Sequence, residues 1–187
     1  MTMPETDTTH VPRIWAGCYA CYLQGRRVGD WYDATEAMGI TPACLHHVPA
    51  ARVPVGHDTI AAVETVGFPE VGDLLSMPEV AAWAEALTSV EPHLRPALVA
   101  WVDCGDYVAQ GRCTALPATD DFEERYCGEW ESFDEFAHEE AGLTDLFADV
   151  PDDLIRHFSM ASWTAELAEG YTTAPCPGGG VYVYDRY

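Results

Sequence analysis

This sequence predicts an α+β fold assembled from small mixed domains, with short antiparallel sheets and short helices. Three observations point there. Strand-like segments lie near both ends of the chain, helix-like periodicity fills the middle, and the last third joins short helix signals to interleaved aromatic residues. A hydrophobic fraction of 48% with six Trp, nine Tyr and six Phe is enough for a buried core, although the formal net charge is -22.

Arg13–Tyr22 is aromatic and compatible with an extended strand, Gln24-Gly25 supplies a turn, and Val28–Ala34 reads as the return strand of a hairpin. Thr35–Gly39 reads as a short helix with Thr35 as N-cap. Prolines crowd Thr41–Val55, which reads as loop with short extended pieces. Asp58–Val66 fits a strand or a short helix, the strand being preferred. Ser76 and Glu79 form a capping box, and Val80, Trp83, Ala84 and Leu87 follow at helical spacing. Pro92–Val102 reads as a second helix, and Cys104-Gly105-Asp106 ends this stretch. Ser132 and Glu135 form another capping box, opening a helix that Gly142 is expected to close. Pro151 opens a helix through Phe158, and Ser159 caps one over Met160–Glu169. Gly178–Gly180 is a turn before a last strand, Val181–Tyr184.

Charge narrows the function. There are 31 Asp plus Glu against nine basic residues, all Arg. Such a surface repels nucleic acid and anionic membranes and attracts basic surfaces, above all those of DNA-binding proteins. Solubility alone is the competing explanation. Fourteen acids fall between Asp120 and Asp153: Asp120, Asp121, Glu123, Glu124, Glu129, Glu131, Asp134, Glu135, Glu139, Glu140, Asp145, Asp149, Asp152 and Asp153. Only Arg125 opposes them, and Phe122, Tyr126, Trp130, Phe133, Phe136 and Phe147 are interleaved, so the block belongs to a folded segment and not to an acidic tail. Rows of helical carboxylates about 5–6 Å apart approximate a line of phosphates.

Several function classes find no support. No apolar run reaches the ~18 residues of a membrane span. Residues 1–11 read as a polar, disordered tail without the basic-then-apolar order of a secretory signal. Seven Cys without regular spacing read as reduced thiols, and a cytoplasmic location is expected. There is no P-loop, dinucleotide fingerprint or nucleophile elbow. His57-Asp58, His138-Glu139 and paired acids such as Glu139-Glu140 and Asp152-Asp153 are sequence neighbours with no implied pocket, so no catalytic residue is assigned. Cys18 and Cys21 form a C-x-x-C, with Cys44, His46 and His47 following. Zinc is weighed against simple thiols. In a strand, residues three apart face opposite sides, so the pair reads as buried thiols and neither metal nor cofactor is expected. A metal-dependent enzyme using Cys18, Cys21, Cys44 and His47 is the alternative that stoichiometric zinc would revive.

The order of these features resembles the ArdA antirestriction family. RIWAGCYACYLQGRRVGDWYDA, with Gly29, Trp31 and Asp33, is similar to the family's opening strand, glycine turn and G-x-W plus acid. His57-Asp58 followed by Gly67-Phe68 resembles its H-D…G-F crossing, and Ser76–Leu87 its amphipathic helix. FEERYCGEWESFDEFAHE is similar to its acidic aromatic segment. Pro151, Leu154, Phe158, Trp163 and Leu167 resemble its helix pair, and VYVYDRY its final strand. The resemblance spans Pro12–Tyr187. It implies an elongated α+β chain of three small domains: 12–68 α+β, 69–110 helical and 111–187 acidic α+β. It implies a non-catalytic, cofactor-free homodimer, with a contact around Phe122, Tyr126 and Trp130. It also implies a partner, the type I restriction-modification enzyme, whose DNA groove the protein occupies on behalf of incoming mobile elements. An acidic adaptor for some other basic partner is the second class of function.

Overall fold

The computed structural model describes residues 11–70, 74–110, 115–148 and 150–187, without the side chain of Asp152. The fold is α+β. The tail expected over 1–11 lies outside the described residues, Val11 excepted. Two compact units separate, one from residues 1–99 and 109–119, the other from residues 100–108 and 120–187.

In the first unit, β1 (Arg13–Cys18) leads into a one-turn helix α1 (Tyr19–Leu23), then β2 (Gly29–Asp33) and a 3-10 turn over Ala34–Gly39. Helix α2 (Pro42–His46), a 3-10 turn over Ala50–Arg52, β3 (Ile60–Val66), β4 (Leu75–Ser76) and α3 (Met77–Ser89) follow. The sheet order is β2-β1-β3-β4, antiparallel throughout. Strand β1 is central, and five of its six residues are buried, which explains its almost unbroken apolar run. A bulge between Trp15 and Ala16 shifts its register against β3. Gly29 lies opposite Gly17, and a Cβ there would meet the Ala16 carbonyl oxygen at 2.1 Å, so only glycine permits this strand approach. The opposing pair Trp15 and Trp31 is covered by arginines: Arg27 lies 4.5 Å from the Trp15 ring and bonds Glu64 at 2.7 Å, while Arg13 lies over Trp31.

Several local readings need correction. The first strand stops at Cys18, and Tyr19–Leu23 is helical, tied by the Tyr19 N–H to the Thr59 carbonyl. Asp33, not Thr35, caps the following turn, accepting both the N–H and the hydroxyl of Thr35. The proline-rich stretch contains helix α2, because Thr41 caps it and Pro42 sits at its first position, where the missing N–H costs nothing. The stronger signals translate directly. The Glu79 carboxylate accepts the N–H and hydroxyl of Ser76, and α3 buries Met77, Val80, Trp83, Ala84 and Leu87 on one face. It packs on the Ala34–Gly39 turn and on β3.

A 3-10 turn at Pro92–Leu94 runs into α4 (Arg95–Asp103), within which the boundary between the units falls. The second unit continues with α5 (Thr119–Arg125), β5 (Tyr126–Trp130), α6 (Phe133–Leu143), α7 (Asp152–Ile155), α8 (Met160–Leu167), a 3-10 turn to Gly170, β6 (Tyr171–Pro175) and β7 (Val181–Asp185). The sheet order β5-β7-β6 is antiparallel. Central β7 places Tyr182 and Tyr184 on one face and Val183 on the other. Trp101 and Phe122 pack against Tyr184, with Phe122 stacked on Tyr126 at 5.5 Å. In a second cluster Phe136 of α6 meets Trp130, Phe133 and Tyr171 at 4.9–5.5 Å. A bulge between Tyr126 and Gly128 breaks the edge strand β5. At the β6–β7 turn Gly180 has φ +89, and a Cβ there would meet the Trp130 carbonyl oxygen at 2.2 Å. Gly142 does not close α6. The helix runs to Leu143 and ends in a left-handed Asp145 (φ 49), with the Leu146 N–H returning to the Ala141 carbonyl.

Two stability predictions follow from these contacts. Phe122 is fully buried, so Phe122→Ala is expected to cost about 3–5 kcal/mol in urea unfolding. A cost near zero would mean that the aromatic cluster does not hold the unit. The Ser76 bonds lower the Glu79 pKa from its ordinary value. That stabilisation is present above the unfolded carboxylate range and is lost as pH falls through the lowered folded value. Ser76→Ala is expected to cost about 0.5–2 kcal/mol near neutrality, with the difference from the unaltered protein shrinking in acid titrations.

Candidate functional site

The acids of the 120–153 block sit on consecutive elements of the second unit. Asp120, Asp121, Glu123 and Glu124 lie on α5, and Glu129 on β5. Glu131 lies in the turn before α6, and Asp134, Glu135, Glu139 and Glu140 lie on α6. Asp145 occupies the left-handed position after α6, and Asp152 and Asp153 open α7. Asp149 lies outside the described residues. Asp120, Glu123, Glu124, Glu129, Glu131, Asp134, Glu135, Glu139, Asp145 and Asp153 are exposed, while Asp121 and Glu140 are half-buried.

Local order makes this crowding tolerable. Asp120 and Asp121 fall in the first turn of α5 and Asp134 and Glu135 in the first turn of α6, where the helix dipole favours negative charge. Ser132 accepts the Glu135 N–H, and the Glu135 carboxylate reaches back to the Glu131 N–H at 2.8 Å. Glu129 accepts the Cys176 thiol. The single cation of the segment is engaged elsewhere: Arg125 donates to the Asp185 carbonyl. Among the described residues Arg27 pairs with Glu64 and Arg186 with Asp106, His93 lies 3.3 Å from Glu91, and none of these contacts uses an acid of the block.

Magnitudes limit what one row of acids can do. Four residues of helix advance about 6 Å, so Glu135 and Glu139 give about one charge per 6 Å, whereas duplex DNA carries about one per 1.7 Å. Three or four such rows are needed to reach the charge density of a duplex. The block's acids lie on α5, on β5, and in and around α6, so any recognition through them is collective.

The three aromatic residues expected at a dimer contact differ in placement. Phe122 is fully buried in the core of its own chain. Tyr126 and Trp130 remain half-buried, and the Trp130 indole N–H donates to the Cys127 carbonyl. Burial pushes the Tyr182 and Tyr184 phenols well above their usual range, as befits core residues.

A second constellation lies in the first unit. The side-chain ligand atoms of Cys18, Cys21, His46 and His57 all lie within 4.8 Å of one another. Cys18 ends β1, Cys21 is in α1, His46 is in the last turn of α2, and His57 precedes β3. Both thiols are 1% exposed, and His57 Nδ1 is 3.3 Å from each sulfur. Burial, and then the neighbouring Cys18, raise the Cys21 thiol pKa. Cys18 and Cys21 do not face opposite sides of a strand as expected, because β1 ends at Cys18 and Cys21 lies in α1. The tetrad of the alternative sequence reading also changes. Cys44 is exposed and bonded to Thr41, which lowers its pKa, and His47 is the exposed left-handed residue that closes α2. On a helix, residues 44 and 46 point about 200° apart, so His46 turns inward as Cys44 turns outward. His57 was visible in the sequence only as the neighbour of Asp58.

An open depression of about 430 Å³ is lined by Tyr32, Thr35, Glu36, Gly39, Ile40 and Cys44. No helix among the described residues is long and apolar enough to cross a membrane.

A comparison with curated proteins gives no match. The family model of the antirestriction protein (ArdA), however, matches residues 14–181 of the 187. That span takes in the first sheet from Ile14 onward, the capped helix α3, all the described acids of the block and the second sheet as far as Val181, where β7 begins. The chain belongs to the ArdA antirestriction protein family.

Proposed function

We propose that this antirestriction protein acts as a DNA mimic, occupying the DNA-binding groove of type I restriction-modification enzymes in the cytoplasm without catalysing a reaction. The carrying observation is a family member whose block of exposed carboxylates has no ion pair among the described residues. Unpaired acids keep their full field for a basic partner, whereas paired ones would be largely spoken for at short range. The surface comprises Asp120, Asp121, Glu123, Glu124, Glu129, Glu131, Asp134, Glu135, Glu139, Glu140, Asp145, Asp149, Asp152 and Asp153. When such a groove binds DNA it releases the cations condensed on the phosphates; here it would release the cations gathered by these carboxylates.

A two-fold homodimer belongs to the same proposal, since two copies lengthen the imitation. With Phe122 withdrawn into the core, Tyr126 and Trp130 remain the candidates for that contact. Sedimentation of the unaltered protein and of Trp130→Ala tests this, with a single monomeric species for the unaltered protein ruling the dimer out.

Inhibition of a type I enzyme is expected to be competitive with DNA and to weaken steeply with added salt. Inhibition that ignores both DNA concentration and salt would remove the mimicry. Neutralising Glu123, Glu124, Glu129, Glu131, Asp134, Glu135, Glu139 and Glu140 together, as Gln or Asn, is expected to weaken inhibition at least about tenfold. Each single change should shift it by less than about fivefold, the range of one exposed charge pair. One isolated neutralisation that abolishes inhibition would contradict a distributed surface. Recovery in a pulldown of a different basic protein, with restriction subunits left behind, would favour an adaptor.

A further inference from the structure

We propose that Cys18, Cys21, His46 and His57 form a structural zinc site, with the metal held by both sulfurs, by His57 Nδ1 and by His46 Nε2. The proposal is independent of how the acidic surface works. Four features carry it.

The first is geometry. A tetrahedral zinc ion, with Zn–S about 2.3 Å and Zn–N about 2.0 Å, holds neighbouring ligand atoms about 3.3–3.8 Å apart. One ligand atom from each of the four residues already lies within 4.8 Å of the other three, and both sulfur to His57 Nδ1 separations are 3.3 Å. Closing on a metal needs only small side-chain shifts.

The second is valence. A neutral imidazole Nδ1 offers either one lone pair or one N–H. It cannot serve two thiols equally, yet Cys18 and Cys21 sit at the same distance from it. Ligands arranged around a common centre satisfy that symmetry. The third is an orphan: His46 Nε2 is buried and has no hydrogen-bond partner. An unsatisfied buried polar atom costs about 1–3 kcal/mol, and a metal bond removes that cost. The His46 and His57 rings lie edge to face with centroids 5.3 Å apart, so both face the same small volume.

The fourth is the architecture around the site. No residue from 47 to 59 is fully buried, and of its apolar side chains only Val48 and Val53 are even half-buried, so the hydrophobic core holds this segment weakly. Its two ends are nevertheless brought together, His46 at one and His57 at the other. A metal crosslink to β1 and α1 supplies the tether that the hydrophobic core does not. Two thiolates and two neutral imidazoles balance the 2+ ion, so the site is neutral overall. Thiolate with imidazole in a closed, four-ligand set selects zinc over magnesium or calcium, and leaves no open position for chemistry.

The test uses the full chain produced in zinc-supplemented medium and purified under reducing conditions without chelator. Elemental analysis is expected to find one zinc per chain. Exchange with cobalt(II) is expected to give the visible bands of a tetrahedral site and a thiolate charge-transfer band. Cys21→Ser and His57→Ala should lose both signals, while Cys44→Ser and His47→Asn should keep them. Because the ligand variants can fail to fold, the unaltered protein carries a second measurement. Chelation should expose Arg52, inside the 47–59 segment, to trypsin at least tenfold faster, and added zinc should restore protection. Zinc well below one per chain with no cobalt bands would overturn the site. So would a Cys18–Cys21 disulfide in place of bound metal, metal loss in Cys44→Ser but not in His57→Ala, or a trypsin rate at Arg52 unchanged by chelator.

Discussion

The acids of the second unit repel one another, and the structure that carries them exists because aromatic burial outweighs that repulsion. Each close like-charged pair on a helix costs a few tenths of a kcal/mol, whereas a buried aromatic side chain contributes several times more. Phe122 lies on the same short helix as Asp120, Asp121, Glu123 and Glu124, and packs on Tyr126 and Tyr184. Phe136 lies among Asp134, Glu135, Glu139 and Glu140 and packs on Trp130 and Tyr171. Helices α5 and α6 are thus each anchored by an inward phenylalanine, which leaves their outward positions free to be one-signed. Placement of acids in first turns removes part of the remaining cost through the helix dipoles.

The few cations follow the same division. Arg27 lies over Trp15, Arg13 over Trp31, and Arg186 bonds Thr172 while pairing with Asp106. Arg125 holds a backbone carbonyl at the end of β7. These guanidinium groups serve the packing of their own unit, and the acidic block is left without internal neutralisation. A surface built for solubility alone would gain from interspersed signs; here the arrangement keeps them apart.

Much of this was legible because it was local. The caps at Ser76, Ser132 and Ser159, the periodicity from Val80 to Leu87 and the strand ending the chain each depend on residues a few positions apart. What escaped depended on distant partners. Helix α5 has one buried residue, Phe122, and so shows no apolar period. Strand β5 contains a bulge at Gly128, and β6 ends in proline, which blurs alternation. The Cys–His cluster was hidden twice over. Nothing near Tyr19 announces that the strand becomes a helix, and the crowded prolines of 41–55 mask the register of α2, which turns His46 inward. The acidic block needed no such help, because exposure follows from charge itself.

Three of the four outer strands of the two sheets are poorly shaped for pairing with a further strand. β4 is only two residues long, β5 is kinked by its bulge, and β6 ends in Pro175, which lacks an N–H. Such blunt borders resist templated strand addition. Any chain that docks along these three borders must therefore be recognised by side chains. Among the described residues β2, five residues in regular register with β1 alone, is the border that keeps an unblunted edge, so strand addition to the first sheet would have to begin there.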